Sequence, residues 1–104
     1  MAKYLLIYFD GKMPKNKEES DKTTADWMRW FQNLGKAVID SGNPTKPVKL
    51  IDTKGMKDIG NKNLITGYSI LEAESMDKAM TMSKSSPHLT SGGQIALYEI
   101  TPMM

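Results

Sequence analysis

Residues 3–10 read Lys-Tyr-Leu-Leu-Ile-Tyr-Phe-Asp, a run of aromatic, aliphatic and β-branched side chains that ends at Asp10. Apolar residues at consecutive positions indicate a strand covered on both faces, because a strand with one solvated face alternates apolar with polar residues. Residues 64–73 and 94–101 repeat this two-sided pattern. Helices can cover only one face of a sheet, so we expect a second copy of the chain to cover the other. The alternative is a monomer whose second face is a ligand groove.

Two segments between these strands carry the period of an α-helix. In the first, large apolar residues recur at i, i+3, i+4, i+7 and i+11: Trp27, Trp30, Phe31, Leu34 and Val38. This spacing predicts a helix from about residue 21 to residue 41, with Gly35 inside it and Gly42 as its terminator. Ser75 is the predicted N-cap of the second helix, which we expect to end at Pro87. The predicted buried face of that helix consists of Met76, Ala79, Met80 and Ser83.

The connecting segments complete the order of elements. Residues 48–52 predict a short strand, joined to residues 64–73 by a polar hairpin loop over residues 53–63. Residues 11–20 have no period and predict a loop long enough to bind a ligand or to act as a lid. The order is therefore β-α-β-β-α-β, which predicts a single α+β domain over residues 1–104. Right-handed crossovers place both helices on one face of a four-stranded antiparallel sheet.

Composition excludes several classes of partner and site. The net charge is +2 and Arg29 is the only arginine, so we expect no nucleic-acid partner, because phosphate and base recognition favour the guanidinium group. The chain has no cysteine and one histidine, so we expect no metal site and no cofactor. The apolar run over residues 4–9 is too short for a signal sequence or a membrane span. We therefore expect a cytoplasmic protein with no membrane contact.

A series of short stretches, spread along the chain, carries a family resemblance: Lys3-Tyr-Leu-Leu-Ile-Tyr, Trp27-Met-Arg-Trp-Phe-Gln-Asn-Leu-Gly, Asp40-Ser-Gly-Asn-Pro, Thr66-Gly-Tyr-Ser-Ile-Leu-Glu-Ala, Met76-Asp-Lys-Ala, Lys84-Ser-Ser-Pro-His-Leu and Tyr98-Glu-Ile. Taken in this order, they resemble the YCII-related proteins, in particular the branch of DGPF-domain proteins. The resemblance implies a ferredoxin-like subunit and a dimeric α+β barrel. It implies little about activity, because that fold hosts many unrelated chemistries.

The chain departs from the family pattern in two places. A histidine and an aspartate have been proposed as a catalytic pair within the YCII group. The only histidine here, His88, follows the second helix, so that pair is not carried over. The motif that names the DGPF branch is absent, and its nearest counterpart is Asp52-Thr-Lys-Gly. Longer proteins that resemble this branch sometimes occur alongside sigma-factor-like transcription proteins, which makes a regulatory role one of the functions to consider.

His88 is the candidate catalytic residue, because imidazole is the only side chain whose unperturbed pKa lies near neutrality. It follows Pro87 and precedes Gly92-Gly93, a pair that we interpret as a tight entry into the last strand. Acid–base catalysis needs a partner within hydrogen-bond reach. The available carboxylates, none of which the sequence places beside the ring, are Asp10, Asp40 and Glu72. The structural alternative is that the imidazole bonds a nearby backbone carbonyl and fixes the loop.

Four further residues are candidates for ligand binding: Tyr68, Trp27, Arg29 and Lys84. Tyr68 adjoins Gly67, and a glycine within a strand often marks the close approach of a ligand, but Tyr68 could equally pack in the sheet. Trp27 also fits the buried helical stripe, and Lys84 also suits a last helical turn because of the helix dipole. Arg29 could bind a carboxylate or phosphate, or it could form a surface ion pair.

We expect a homodimer of YCII type that binds a small apolar or mildly anionic molecule between its helices and its sheet. Two alternatives remain open: a small enzyme in which His88 is the general acid or base, and a regulatory interaction module with no ligand. A carboxylate beside His88 in an enclosed polar cavity would favour the enzyme. A dry apolar cavity would favour the binding protein, and no cavity would favour the module.

Overall fold

A computed structural model describes residues 1–60 and 64–103, and within them the chain forms an α+β fold, as the sequence predicts. The strands are β1 (Ala2–Phe9), β2 (Val38–Asp40), β3 (Leu50–Asp52), β4 (Gly55–Lys57), β5 (Ile65–Ala73) and β6 (Gln94–Ile100). The helices are α1 (Lys17–Leu34), α2 (Met76–Lys84) and α3 (Pro87–Thr90), and a 3-10 turn spans Gly35–Ala37.

β1 lies inside the main sheet, whose four antiparallel strands are ordered β2-β5-β1-β6. Leu6 marks the register at the middle of the sheet, because it lies opposite Ser69 of β5 on one side and Leu97 of β6 on the other. The prediction of a four-stranded antiparallel sheet is confirmed. The strand order is consistent with the ferredoxin-like subunit that the resemblance implies.

The helices cover one face of this sheet. Alternate residues of β1, from Tyr4 to Tyr8, are buried on that face, because successive side chains of a strand point to opposite sides. Trp30 is the buried residue of α1. Its indole N–H donates to the carbonyl of Met82 at 3.2 Å and to Ser85 Oγ at 3.0 Å, which fixes α1 against the carboxyl end of α2.

The other face of the sheet is apolar and uncovered in the single subunit. Leu5, Ile7 and Phe9 of β1 point towards it and are half-buried. Tyr98 and Ile100 of β6 lie on the same face and leave 58% and 40% of their surface exposed. The two-sided apolar pattern of the sequence is thus present in the sheet, and this open face is a candidate interaction surface.

α1 begins and ends earlier than the apolar spacing predicts. Asn16 is its N-cap, because the side chain accepts a hydrogen bond from the N–H of Glu19 at 2.9 Å. Gly35 is its terminator, with φ of 58° and its N–H donating to the carbonyl of Phe31. The predictions of Gly35 inside the helix and Gly42 at its end are therefore wrong. Val38 fits the helical period only by coincidence, since it begins β2.

The structure also corrects the position of the second strand of the sheet. The edge strand beside β5 is β2, whereas residues 50–52 form β3, which pairs with β4 in a separate two-stranded hairpin. The hydrogen bonds of Thr45 explain the difference. Its N–H donates to the carbonyl of Thr66 and its hydroxyl donates to the carbonyl of Ile65, so the chain stays beside β5 before the hairpin leaves the sheet. Of the predicted loop over residues 53–63, residues 61–63 lie outside the described part.

The second helix matches its predicted start but not its predicted end. Ser75 caps α2 by accepting from the N–H of Lys78 at 3.2 Å, which confirms the N-cap. Ala79 and Ser83 are buried as predicted, whereas Met76 and Met80 are exposed, so that half of the predicted face is wrong. Pro87 does not end α2, since it opens the short helix α3 at a position where its missing N–H is not needed.

Candidate functional site

A cleft of about 1000 Å³ opens between the loop that follows β1, one face of α1, and α3. The residues that line it include three of the five predicted site residues together with a carboxylate and a glycine from the loop: Trp27, Arg29, His88, Asp10 and Gly11. The predicted loop over residues 11–20 therefore contributes one wall, although α1 already begins within it at Lys17.

His88 lies at the inner wall of this cleft and is only 7% exposed. Ser86 caps α3 by accepting from the N–H of His88 at 3.2 Å, so the helix itself positions the imidazole. Nε2 lies 2.6 Å from the carbonyl oxygen of Phe9, at the end of β1. A carbonyl oxygen can only accept, so Nε2 carries the hydrogen in this bond. The structural role considered for His88 is thus present.

The Nε2–H tautomer leaves Nδ1 as the hydrogen-bond acceptor of a neutral ring. Across residues 1–60 and 64–103, no protein group hydrogen-bonds Nδ1, and no buried side-chain nitrogen or oxygen lacks a partner, so Nδ1 is reached by solvent. A Cβ at Gly11 would lie 3.3 Å from Nδ1 and 3.1 Å from Ser91 Oγ. The missing side chain of Gly11 therefore keeps the space beside Nδ1 open.

Gly93 leaves room for the opposite edge of the imidazole. A Cβ there would lie 2.2 Å from Nε2 and 2.5 Å from Cδ2, well inside van der Waals contact. The N–H of Gly93 also donates to the carbonyl of His88 at 3.0 Å. The sequence interpretation of Gly92-Gly93 as a tight turn fits Gly92, with φ of 86°, but the function of Gly93 is to leave space for the ring.

An aromatic cluster packs against the imidazole. The ring centroids of Tyr8 and Trp27 lie 5.1 Å apart in a T-shaped arrangement, and that of Tyr8 is 5.2 Å from His88. Tyr8 donates its hydroxyl hydrogen to Ser69 Oγ at 2.7 Å, and Ser69 donates onward to the carbonyl of Ser41. Burial raises the pKa of Tyr8 to about 12. Sequence reasoning missed Tyr8, although a buried tyrosine needs a partner for its hydroxyl.

The structure brings Trp27 and Arg29 to the same cleft as His88 but not Tyr68 or Lys84. Arg29 lies at the rim, 68% exposed, with Nη1 3.3 Å from Asp26 Oδ1, which is the surface ion pair considered as its alternative. Tyr68 lies on the open face of the sheet, where its hydroxyl accepts from Asn43 at 3.3 Å. Lys84 is exposed at the end of α2, outside the cleft.

Of the three carboxylates considered as partners of His88, only Asp10 lines the cleft. Asp40 accepts from the N–H of Gly42 at 2.8 Å, and Glu72 lies opposite Lys3 at the far end of β1. No carboxylate in the described ranges hydrogen-bonds the imidazole. The cleft can therefore offer a hydrogen-bond acceptor, an aromatic wall and charged groups at its rim, but it holds no preformed histidine–carboxylate pair.

No cluster of three or more histidine, cysteine, aspartate or glutamate side chains in residues 1–60 and 64–103 is arranged to hold a metal ion. Within the same ranges, no helix has the length and apolar character needed to span a bilayer.

Comparison with known proteins supports the fold. No family model and no curated protein matches the sequence. Among solved structures, the chain is similar to 5-chloro-2-hydroxyhydroquinone dehydrochlorinase TftG from Burkholderia phenoliruptrix, in complex with 2,5-dihydroxybenzoquinone. The TM-score is 0.57 and the identity 18%, over 94% of this chain and 93% of that one. A hydantoinase/carbamoylase family amidase from Burkholderia ambifaria gives a TM-score of 0.32 at 9% identity, over 96% of this chain and 27% of that one. The first likeness shows the fold alone, and the second is too low to indicate a common fold.

Proposed function

We propose that this chain is a homodimeric, YCII-type small-molecule-binding protein whose ligand occupies the cleft at His88. The observation that carries the proposal is the orientation of the imidazole. Its Nε2–H is held by the carbonyl of Phe9 at 2.6 Å, which leaves the Nδ1 acceptor free at the cleft. A histidine with a purely structural role needs only the Nε2–H bond to the backbone. The free acceptor beside Gly11 is what favours a ligand.

The size and the lining of the cleft support a small molecule. About 1000 Å³ is at the upper end of the range for pockets that bind small ligands. Trp27 offers an aromatic surface, and Arg29 lies at the rim. The similar dehydrochlorinase holds a planar hydroxylated ring, 2,5-dihydroxybenzoquinone, and a ligand of that shape suits an aromatic wall beside a hydrogen-bond acceptor.

The open face of the sheet supports the homodimer. Its apolar residues come from the middle strands as well as from the edge strand β6, so the face forms one continuous surface that a second copy could cover by two-fold symmetry. Two such sheets packed face to face would form the dimeric α+β barrel implied by the YCII resemblance, and we infer that arrangement here.

A second candidate function is catalysis with His88 as the general base. The specific observation in its favour is the same free Nδ1, because a base must present its lone pair to the substrate. The absence of a carboxylate bond to the ring in the described residues makes binding the better-supported function, since nothing charged orients or strengthens the base.

A thermal-shift screen of small metabolites, including 2,5-dihydroxybenzoquinone, tests both functions. The informative variant is His88→Gln, because the glutamine amide places an N–H near the position of Nε2 but offers no group at Nδ1. We expect a ligand to raise the melting temperature of the wild type. We expect His88→Gln to melt near the unliganded wild type and to lose the response, whereas Lys78→Gln, outside the cleft, keeps it.

The outcomes separate the functions. Chemical conversion of a bound compound by the wild type, and not by His88→Gln, would establish the enzyme instead of the binding protein. An equal response of His88→Gln and the wild type would remove the assigned role of Nδ1. If no compound shifts the wild type, both ligand functions fail and the regulatory module becomes the better description.

A further inference from the structure

The β3–β4 hairpin stands apart from the main sheet. Among the described residues, no hydrogen bond or ion pair joins residues 46–60 to the rest of the subunit. The polar contacts of this segment are internal, such as the ion pair between Lys49 and Asp58. A two-stranded hairpin is at most marginally stable in water unless a further strand or a helix packs against it. Since each strand here has only three residues, the hairpin is a segment that a covering surface would stabilise.

One face of the hairpin is apolar and exposed. Ile51 and Met56 lie opposite each other across the two strands, so their side chains share a face. They leave 71% and 72% of their surface exposed. The other face is more polar, because Leu50 lies there with an ion pair between Lys57 and Asp52 at 3.9 Å. The face of Ile51 and Met56 is therefore the one that gains most from being covered.

The shape of the subunit is that of a chain whose compact form is incomplete. The radius of gyration of the Cα atoms is 15.2 Å, whereas a compact domain of this length has about 13 Å. The principal extents are 46, 44 and 18 Å, so the subunit is flat. The helices cover the sheet on one side only, which leaves the open face of the sheet and the hairpin as the uncovered apolar parts.

The open face by itself is small for a stable dimer. Strands lie about 4.8 Å apart and rise about 3.4 Å per residue, so four strands of about seven residues present a planar area of roughly 450 Å². Each partner of a specific protein–protein interface buries about 800 Å². A homodimer through this face therefore needs further contact area, and the exposed face of the hairpin provides it.

The position of the hairpin in the chain indicates which part of a second copy it meets. The edge strands of the sheet are β2 and β6, and the hairpin follows β2. In a two-fold pair whose axis runs along the strands, the β2 edge of one copy lies over the β6 edge of the other. β2 has three residues against seven in β6, so the hairpin supplies the length that β2 lacks. The open face at β6 is also exposed, at Tyr98 and Ile100.

We propose that the hairpin is an arm that packs Ile51 and Met56 against β6 of a second copy of this chain, beside Tyr98 of the partner subunit. Two-fold symmetry makes the contact twice in each dimer. This inference rests on the homodimer of the proposed function. It adds the segment that completes the interface and the surface on which that segment lies.

The first test measures the dissociation constant of the dimer by analytical ultracentrifugation. Burying an isoleucine side chain is worth at least about a factor of ten in affinity, and each dimer contains two arms. We therefore expect Ile51→Ser to raise the dissociation constant about 100-fold. Leu50→Ser is the matched control, because it makes the same change on the other face of the hairpin and should leave the dissociation constant unaltered.

The same substitution in a monomer shows whether the hairpin acts within its own subunit. Ile7→Lys, which places a charge on the open face, provides the monomeric background. Ile51 is exposed in the single subunit, so we expect Ile51→Ser to leave the melting temperature of Ile7→Lys unchanged.

The second test locates the arm by cross-linking. The chain has no cysteine, so introduced cysteines react alone. Met56→Cys and Ala96→Cys are prepared separately, mixed and treated with a short bis-maleimide; Ala96 lies on the open face in β6, opposite Ile7. We expect a covalent dimer that joins positions 56 and 96, identified by mass spectrometry. Met28→Cys, on the exposed side of α1, should give none with Ala96→Cys.

The outcomes separate this inference from the homodimer on which it rests. If Ile7→Lys dissociates the dimer and Ile51→Ser does not weaken it, the arm is overturned while the open-face dimer stands. A covalent dimer from Met56→Cys alone, with none to position 96, would mean that the arms meet each other and would overturn the assigned surface. A lower melting temperature of Ile51→Ser in the monomer would place the hairpin on its own subunit, which also overturns the inference. A wild type that is monomeric at micromolar concentration would remove the homodimer and the arm together, whereas ligand binding at His88 is decided by the separate screen.

Discussion

Replacing Gly93 with alanine tests whether the imidazole of His88 is held as described. A Cβ at Gly93 would lie 2.2 Å from Nε2 and 2.5 Å from both Cδ2 and Cε1, whereas ordinary contact begins at 3.4 Å. The methyl group is attached to backbone and the imidazole has no flexible end, so the ring must move by roughly 1 Å to restore ordinary contact. That movement breaks the 2.6 Å bond to the carbonyl of Phe9.

The cost follows from these two effects. Overpacking at a tight site lowers the free energy of unfolding by about 1–3 kcal/mol. The lost hydrogen bond lowers it by about 0.5–1.5 kcal/mol more. We therefore expect Gly93→Ala to lower the free energy of unfolding by about 1.5–4.5 kcal/mol. For a domain of this size, each 1 kcal/mol corresponds to a fall in melting temperature of about 4–8 °C.

A double-mutant cycle with His88→Ala shows whether the imidazole is the cause. The backbone of Gly93 has no left-handed φ, so alanine is free of strain there once the ring is removed. We expect Gly93→Ala to cost close to nothing in the His88→Ala background, which makes the coupling energy about 1.5–4.5 kcal/mol. The assay is urea unfolding followed by the fluorescence of Trp27 and Trp30 at a fixed protein concentration.

Gly60→Ala is the matched control, because no atom of residues 1–60 and 64–103 is found within 4 Å of a Cβ at that position and its φ is ordinary. It should change the free energy of unfolding by at most about 1 kcal/mol, and in the stabilising direction. Equal costs of Gly93→Ala in the wild-type and His88→Ala backgrounds would refute the reasoning, because the clash would then lie with some other group.

Three further predictions concern the end of α1, the buried phenol and the open sheet face. Gly35→Ala meets no atom of the described residues within 4 Å, but φ at this position is 58°, so urea unfolding should show a free energy of unfolding lower by about 1 kcal/mol; no loss would contradict the left-handed terminator. Tyr8→Phe removes a phenol whose pKa burial raises to about 12. The unfolded phenol ionises near pH 10 while the folded one stays neutral, so this part of the stability is present below pH 10 and lost as the pH rises to 12. The free energy of unfolding of the wild type should thus fall by about 2–3 kcal/mol more than that of the variant across this interval, and parallel curves would contradict the shift. Ile7→Lys puts a charge on the open face and should give a monomer in size-exclusion chromatography with light scattering, whereas Met28→Lys on the exposed side of α1 should not; a dimer that survives Ile7→Lys would exclude this interface.

The features of the fold that the sequence predicts correctly are those set by local pattern. The two-sided apolar run of β1 predicts an inner strand, and Ser75 predicts a helix start, because both signals depend on adjacent residues. The end of α1 could not be predicted in the same way. Val38 continues the helical spacing, and nothing local distinguishes it from a residue of the helix. The choice is made by Gly35, whose left-handed φ depends on where the chain must go next.

The edge strand illustrates a second limit of the sequence. Residues 50–52 have the composition of a strand and do form one, but they pair with residues 55–57 and not with the main sheet. β2 has only three residues and a weaker strand pattern than residues 50–52. Its place beside β5 depends on pairing with Leu71 and Ile70, which lie far along the chain. Strand propensity indicates that a segment is extended, whereas the partner of that segment is set by tertiary context.

His88 could be chosen from the sequence by its chemistry, but its environment could not. The group that fixes its tautomer is the backbone carbonyl of Phe9, and every residue has such a carbonyl, so no side-chain pattern marks it. Tyr68 shows the converse. Its neighbour Gly67 suggested a ligand, yet strand alternation puts the phenol on the face opposite Tyr8 and the cleft.

The Gly92-Gly93 pair is a sequence feature of the site whose meaning becomes clear only from the structure. Two adjacent glycines before a strand suggest a turn, and a turn requires only one residue with a positive φ, which is Gly92. The turn does not explain the second glycine. Gly93 is required because the side chain of His88, five residues earlier, occupies the space that a Cβ at position 93 would take. Gly11 leaves the corresponding space at the other edge of the ring. Glycine on both sides of a single imidazole, with one nitrogen bonded to backbone, is the pattern that accompanies His88 as the proposed ligand-binding residue.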